Sequence, residues 1–205
     1  MAAKRRFSSR RGVSCAAFLR ACQYALLVGG FGLADYCAFA LTEAHLYQAN
    51  EERAFEEMTR STSQSIPKRA APPIQHAVLG RIAIPQVGIS AMIAEGDDHH
   101  TLMRAVGHIP GTAMPGQPGN AVLAAHRDTF FRPLRKIRKG DAIELTTWSG
   151  SYRYRVESIQ VVGPKDIRVL EPTKQSQLTL VTCYPFYFVG SAPKRFIVRA
   201  GLMPG

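Results

Sequence analysis

Beyond residue 40 the chain has a single cysteine, Cys183; the other three are Cys15, Cys22 and Cys37. A lone thiol rules out a disulfide within the C-terminal part of the molecule. It leaves three roles for Cys183: inert burial, metal ligation or nucleophilic chemistry. The chain also lacks the closely spaced acids of a calcium loop, and no internal repeat divides it into modules. Acids are few in general, with 15 Asp and Glu against 26 Lys and Arg and a formal net charge of +11. Those bases are spread over many segments. The densest run, 132–139, has no aromatic residue after Phe131 on which a base could stack, so nucleic acid is not an expected partner.

What is present is unevenly placed. Residues 1–42 hold six bases and one acid, 43–78 four bases and five acids, and 79–205 sixteen bases and nine acids. A basic N-terminus, 1–20, with Lys4, Arg5, Arg6, Arg10 and Arg11, precedes a largely apolar stretch at 21–41. At about 1.5 Å per residue that stretch would form a helix about 31 Å long, the thickness of a bilayer core. No Lys or Arg follows in the ten residues after Leu41. The asymmetry predicts a single-pass membrane anchor, with the N-terminus cytoplasmic and the rest extracytoplasmic. Asp35 is costly in such a helix unless it lies near the outer interface. A cleaved signal peptide is the rival reading, because Ala38-Phe39-Ala40 fits a small-x-small cleavage site. Both readings export the remainder, and a mildly basic domain beside an anionic envelope accounts for the charge. Cys15, Cys22 and Cys37 show no metal-ligand spacing and no lipoprotein-type sequence, which leaves apolar packing as their role.

Residues 42–78 read as a solvated helical stalk followed by a linker rich in Ser, Thr, Gln, Pro and Ala, with Pro67, Pro72 and Pro73. The domain is expected over 79–205. Strand signals recur at 79–84, 87–93, 121–126, 142–147, 152–162, 177–183 and 195–200. Ile143 and Leu145 alternate with Glu144, and Tyr152, Tyr154 and Val156 with Arg153 and Arg155. Ser149-Gly150-Ser151 suits a hairpin turn, and short helical turns are expected at 100–105 and 130–137. At least seven short strands in so small a domain predict an all-β closed barrel with short helices.

Alternation places Thr179, Val181 and Cys183 on one face of a strand that Pro185 must end. His126 ends an apolar run, and Arg195 begins the last strand signal. A nucleophile, an acid/base and a fixed cation at element ends could meet at one barrel rim. Other polar residues invite plainer readings. His108 reads as a structural turn residue, Asp128 as a cap on the following helical turn, and Arg199 as a competitor of Arg195 on the same face. His99-His100 have only Asp97-Asp98 beside them, too few ligands for a metal site.

Thr179-Leu180-Val181-Thr182-Cys183 resembles the Thr-Leu-x-Thr-Cys signature of sortases. The order His126, Cys183, Arg195 is also similar to that family. So are Gly107-His108-Ile109-Pro110-Gly111-Thr112, the Pro-Gly-Gln-Pro-Gly-Asn at 115–120, His126-Arg127-Asp128-Thr129-Phe130-Phe131 and Cys183-Tyr184-Pro185-Phe186. Together they look most like class D. One departure is Ala125, where the family often has glycine and where a methyl group could narrow the approach to His126.

The resemblance implies a cysteine transpeptidase on an eight-stranded barrel, with no cofactor and no metal. Cys183 would be the nucleophile, His126 the acid/base and Arg195 the stabiliser of oxyanion or substrate. Thr182 and Tyr184 beside the thiol would contact substrate, with 162–176 and 184–194 walling the groove. The implied partners are bacterial surface proteins bearing an LPxTG-like sorting signal and an amine acceptor of the cell envelope. The competing functions are an envelope cysteine peptidase, which places cysteine before histidine, and a binding domain that has lost catalysis.

Overall fold

The computed structural model describes residues 15–61, 75–188 and 190–204. The chain forms two compact units, one up to Glu43 and one from Ala44 to Gly205. A single helix, α1 (Cys15–Ser61), contributes to both. In the first unit it exposes large apolar side chains, among them Leu26, Val28, Phe31 and Leu33. The expected anchor at 21–41 is therefore helical throughout. Among the described residues, however, no helix is long and apolar enough to cross a membrane. Gln23 and Asp35 interrupt the apolar run, and Gly29, Gly30 and Gly32 add almost no apolar surface.

The second unit is a closed barrel. Its elements are β1 (Val78–Ile84), β2 (Ile89–Glu95), α2 (His99–Arg104), β3 (Val106–His108), β4 (Gly119–Ala124), β5 (Ala142–Thr147), β6 (Gly150–Val162), β7 (Ser176–Tyr184) and β8 (Lys194–Leu202). The spatial order is β1-β2-β3-β4-β7-β8-β6-β5, closed by β5 against β1. β2/β3 and β4/β7 pair in parallel, and every other neighbouring pair is antiparallel. Period-two patterning sends Ile82, Ile93, Leu123, Ile143, Leu145, Leu178, Leu180 and Val198 into one core. Closure leaves the barrel with no unpaired sheet edge.

Several local expectations shift by a residue or two, each for a visible reason. The second strand signal starts late, because Pro85–Val87 form a 3-10 turn and Gly88 turns the chain at φ +74°. The β5–β6 hairpin turns at Trp148-Ser149, since Gly150 already pairs with Thr147. The helical turn after β4 is a 3-10 segment, Arg132–Lys136, that starts from Phe131 with no side-chain cap, so Asp128 does not cap it. The eighth strand, β3, is only three residues long.

The stretch expected to be a solvated stalk packs on the barrel. Gln48 accepts from Met92 N at 2.7 Å and donates to the Arg104 carbonyl. Glu52 takes a hydrogen bond from Arg81 at 2.8 Å. Phe55 is 5% exposed, with its ring 4.3 Å from that of Trp148. Burying an aromatic ring of this size contributes about 2 kcal/mol, enough to hold a helix that composition alone reads as solvent-facing.

Candidate active site

The three candidate residues arrive from three adjacent strands. In the parallel β4/β7 pair, Ala124 lies beside Val181. Pairing continues past the end of β4, with Ala125 N donating to Val181 O at 3.3 Å. Two residues further along each chain stand His126 and Cys183. In the antiparallel β7/β8 pair, Cys183 lies directly opposite Arg195. Cys183 is thus central, with His126 on one side and Arg195 on the other. Neighbouring strands are about 4.8 Å apart.

Alternation also fixes which way they face. Ala125, Leu180 and Phe196 belong to the core, so His126, Val181, Cys183 and Arg195 share the outer face of the sheet. Ala125 is 5% exposed and core-facing, so its methyl group points away from His126 and does not narrow the approach to it. Arg199 lies opposite Thr179, four residues along β8 from Arg195. At about 3.3 Å per residue it is about 13 Å away, too far to take the place of Arg195 beside Cys183.

The two threonines of the signature wire the site together rather than line it. Thr179 is fully buried, and its hydroxyl donates to Asn120 Oδ1 at 2.7 Å. Asn120 Nδ2 in turn donates to the carbonyls of Val169 at 3.0 Å and Glu171 at 3.2 Å, pinning the β6–β7 segment. Thr182 is 2% exposed and donates to the Ala125 carbonyl at 2.8 Å. It fixes the backbone that carries His126 and has no surface to offer a substrate, which corrects its expected role. Tyr184 packs into an aromatic cluster, its ring 6.0 Å from Phe186 and 6.2 Å from Phe196.

Arg127 was missed as a site residue. It donates to Pro185 O at 3.1 Å, Phe188 O at 2.6 Å and Gly190 O at 3.0 Å, and so holds the β7–β8 segment beside Cys183. Its place directly after His126 was the available signal. Arg195 has one guanidinium nitrogen on the carbonyls of Ala192 and Lys194 at 3.2 and 3.0 Å. The His126 ring meets the edge of His99 from α2 at a centroid distance of 6.2 Å. Among the described residues it has no hydrogen-bond partner.

The remaining motifs have structural explanations. Gly116, in the 115–120 run, sits at φ +83°, and a Cβ there would come within 2.0 Å of the Tyr152 ring. Its N–H donates to the Tyr154 hydroxyl at 2.8 Å, and burial raises the pKa of that phenol. His108 ends β3 instead of forming a turn. It is 1% exposed, with Nδ1 2.6 Å from Glu95 Oε2. A half-exposed cysteine on a rigid strand, flanked by an imidazole and a guanidinium, has the parts needed for nucleophilic acyl transfer.

Residues 82–203 match the sortase domain family. This chain is a member of the sortase family. As a sortase it belongs to the cysteine transpeptidases. It is 33% identical over 174 residues to Sortase D of Bacillus subtilis strain 168, covering 83% of this chain and 87% of the relative. Among solved structures it is similar to a Clostridium perfringens Sortase D5 transpeptidase, with a TM-score of 0.62 and 29% identity over 78% of this chain and 98% of that one. Sortase A from Corynebacterium diphtheriae gives a TM-score of 0.58 at 33% identity, covering 66% of this chain and 63% of the other. The class D likeness inferred from the motifs agrees with the Bacillus subtilis and Clostridium perfringens relatives.

Proposed function

We propose that this sortase cuts an LPxTG-type sorting signal and joins it to an envelope amine through Cys183. The observation that carries the reading is the register that sets Cys183 between His126 and Arg195 on one outer face. Cys183 Sγ, its proton passed to His126, attacks the carbonyl carbon of the Thr–Gly bond. The carbonyl π electrons move to oxygen, and the Arg195 guanidinium stabilises that oxyanion. Collapse expels the glycine amine, which takes its proton from His126, and leaves a thioester on Cys183. An incoming amine attacks the thioester, gives its proton to His126 and releases the thiolate.

The proposed donors are surface proteins carrying the sorting signal, and the proposed acceptor is an amine of the cell envelope. Localisation is part of the same proposal: a cell-membrane protein whose N-terminus stays in the cytoplasm and whose barrel is exported. The charge asymmetry around 21–41 and the apolar side chains exposed there support it. A reporter fused after Gly205 should be active only when it is an exported type. An active cytoplasmic-type reporter would refute the topology.

The mechanism is tested with Cys183→Ala. The variant should neither cleave a fluorogenic LPxTG-type peptide nor transfer it to an added amine, while melting like the parent. Retained activity would overturn the mechanism. Cleavage by the parent without any transfer would favour the peptidase reading.

A further inference from the structure

The geometry points to a second site: His76, Asp98 and His100 form a binding site for one late first-row divalent cation, of which zinc is the natural probe. Sequence spacing set His99-His100 aside for want of ligands. The fold supplies one from 24 residues upstream of His100, at the entrance to β1. Each of the three residues offers one ligand atom, and these atoms lie within 4.8 Å of one another. The two imidazole rings meet edge to face at 5.0 Å, and His76 Nδ1 lies 3.7 Å from Asp98 Oδ2. Zinc bonds of about 2.0–2.1 Å in tetrahedral geometry separate ligand atoms by about 3.4 Å. The side chains must therefore close by a little over 1 Å at most, and both histidines are exposed enough to swing that far.

The surroundings hold the three in place. His76 adopts φ +67°, a left-handed conformation uncommon for a residue with a side chain. Its backbone is fixed there by His76 N donating to Glu95 O at 2.8 Å. Asp98 Oδ1 accepts from His100 N at 3.0 Å and Thr101 N at 3.2 Å, so the carboxylate cannot rotate away. Its Oδ2 accepts from the Thr101 hydroxyl at 2.9 Å and from Gln75 Nε2 at 3.5 Å. The buried Thr101 hydroxyl also lies 2.8 Å from His76 Nδ1, and so ties two of the ligands to one support. Arg104 contacts His100 Nε2, and among the described residues Nδ1 is the nitrogen of that ring left uncommitted. The hydrogen bond from the Thr101 hydroxyl holds the Asp98 carboxyl down at about 2. Two imidazoles and one carboxylate suit zinc, copper or nickel better than calcium or magnesium, and water would complete the shell.

The position gives the site its interest. His99, adjacent to ligand His100, carries the ring that touches His126. An ion there would fasten α2 to the strand entrance, one residue from the histidine whose ring meets the proposed acid/base.

The test uses the full chain carrying Cys183→Ala, so that the thiolate cannot compete for the metal. Zinc is titrated against a chromophoric chelator at neutral pH, and melting is followed with and without zinc. One equivalent should bind with micromolar or tighter affinity and raise the melting temperature. His76→Ala and His100→Ala should each weaken binding at least about tenfold and abolish the thermal shift. Asp98→Asn, which keeps an N-cap acceptor, should also weaken it, and His99→Ala should leave it unchanged. No stoichiometric binding, or binding that survives both His76→Ala and His100→Ala, would overturn the proposal. A loss with His99→Ala as large as with His100→Ala would move the ion to the His99–His126 pair and overturn it equally.

Discussion

His108 and His126 sit on neighbouring strands about three residues apart in level, yet the barrel treats them in opposite ways. His108 has both ring nitrogens committed. Nδ1 is 2.6 Å from the Glu95 carboxylate, and Nε2 donates to the Ala113 carbonyl at 3.0 Å with the Thr112 hydroxyl at 3.1 Å. It is 1% exposed. His126 is half-buried and meets only the edge of His99, and among the described residues its ring nitrogens are uncommitted. A ring locked on every side can hold three segments together. A ring with open nitrogens can pass a proton. The same residue type thus serves structure in one region and, in the proposed mechanism, chemistry in the other, and partners decide which.

Replacing either side of that comparison should have unlike consequences. Largest is Cys183→Ala, expected to reduce transfer to background in an amine-transfer assay with no change in melting temperature. Next, Arg195→Ala should cost about 10²–10³ in kcat, as loss of an oxyanion donor does, whereas Arg199→Ala should leave kcat within a few fold. The structural side responds in stability. Glu95→Ala or His108→Ala should lower unfolding free energy by about 3 kcal/mol in a denaturant titration, while the molecules still folded keep the parental kcat. A loss of turnover per folded molecule as large as that of Cys183→Ala would erase the distinction.

Two smaller effects sharpen it. Arg127→Ala frees the β7–β8 segment from three carbonyl contacts and should lower kcat/KM about tenfold, with little change in melting temperature. Asp98 has its carboxyl held down at about 2. Its depressed value contributes stability that is complete above the ordinary carboxylate range and lost as pH falls from about 4 towards 2. Asp98→Asn should flatten that part of an acid-unfolding curve, by lowering stability at neutral pH while leaving the most acidic region unchanged.

Legibility in the sequence followed the strength of local pattern. Ala142–Thr147 was readable to the residue, because Ile143 and Leu145 alternate cleanly with Glu144. Val106–His108 was not, because three residues with a central glycine carry no period and are strands only through their neighbours β2 and β4. Cys183 and Arg195 stood at strand ends in the sequence, but only the β7–β8 register sets them opposite each other. Thr182 could not be sorted from a substrate contact by sequence, since its hydroxyl partner, Ala125 O, lies 57 residues away. Phe55 and Gln48 were hidden for the same reason, their partners being on the barrel. The motif order of His126, Cys183 and Arg195 was legible, whereas the wiring of Asn120 and Arg127 behind it was not.

The central claim is that Cys183 carries the acyl group between donor and acceptor. It is tested most directly by intact-mass analysis of the full chain, quenched in acid during turnover of an LPxTG-type peptide. An acyl adduct should appear, map by peptide digestion to Cys183 and disappear when an amine is added. Turnover with no adduct, or an adduct on Cys15, Cys22 or Cys37 that forms equally in Cys183→Ala, would contradict it.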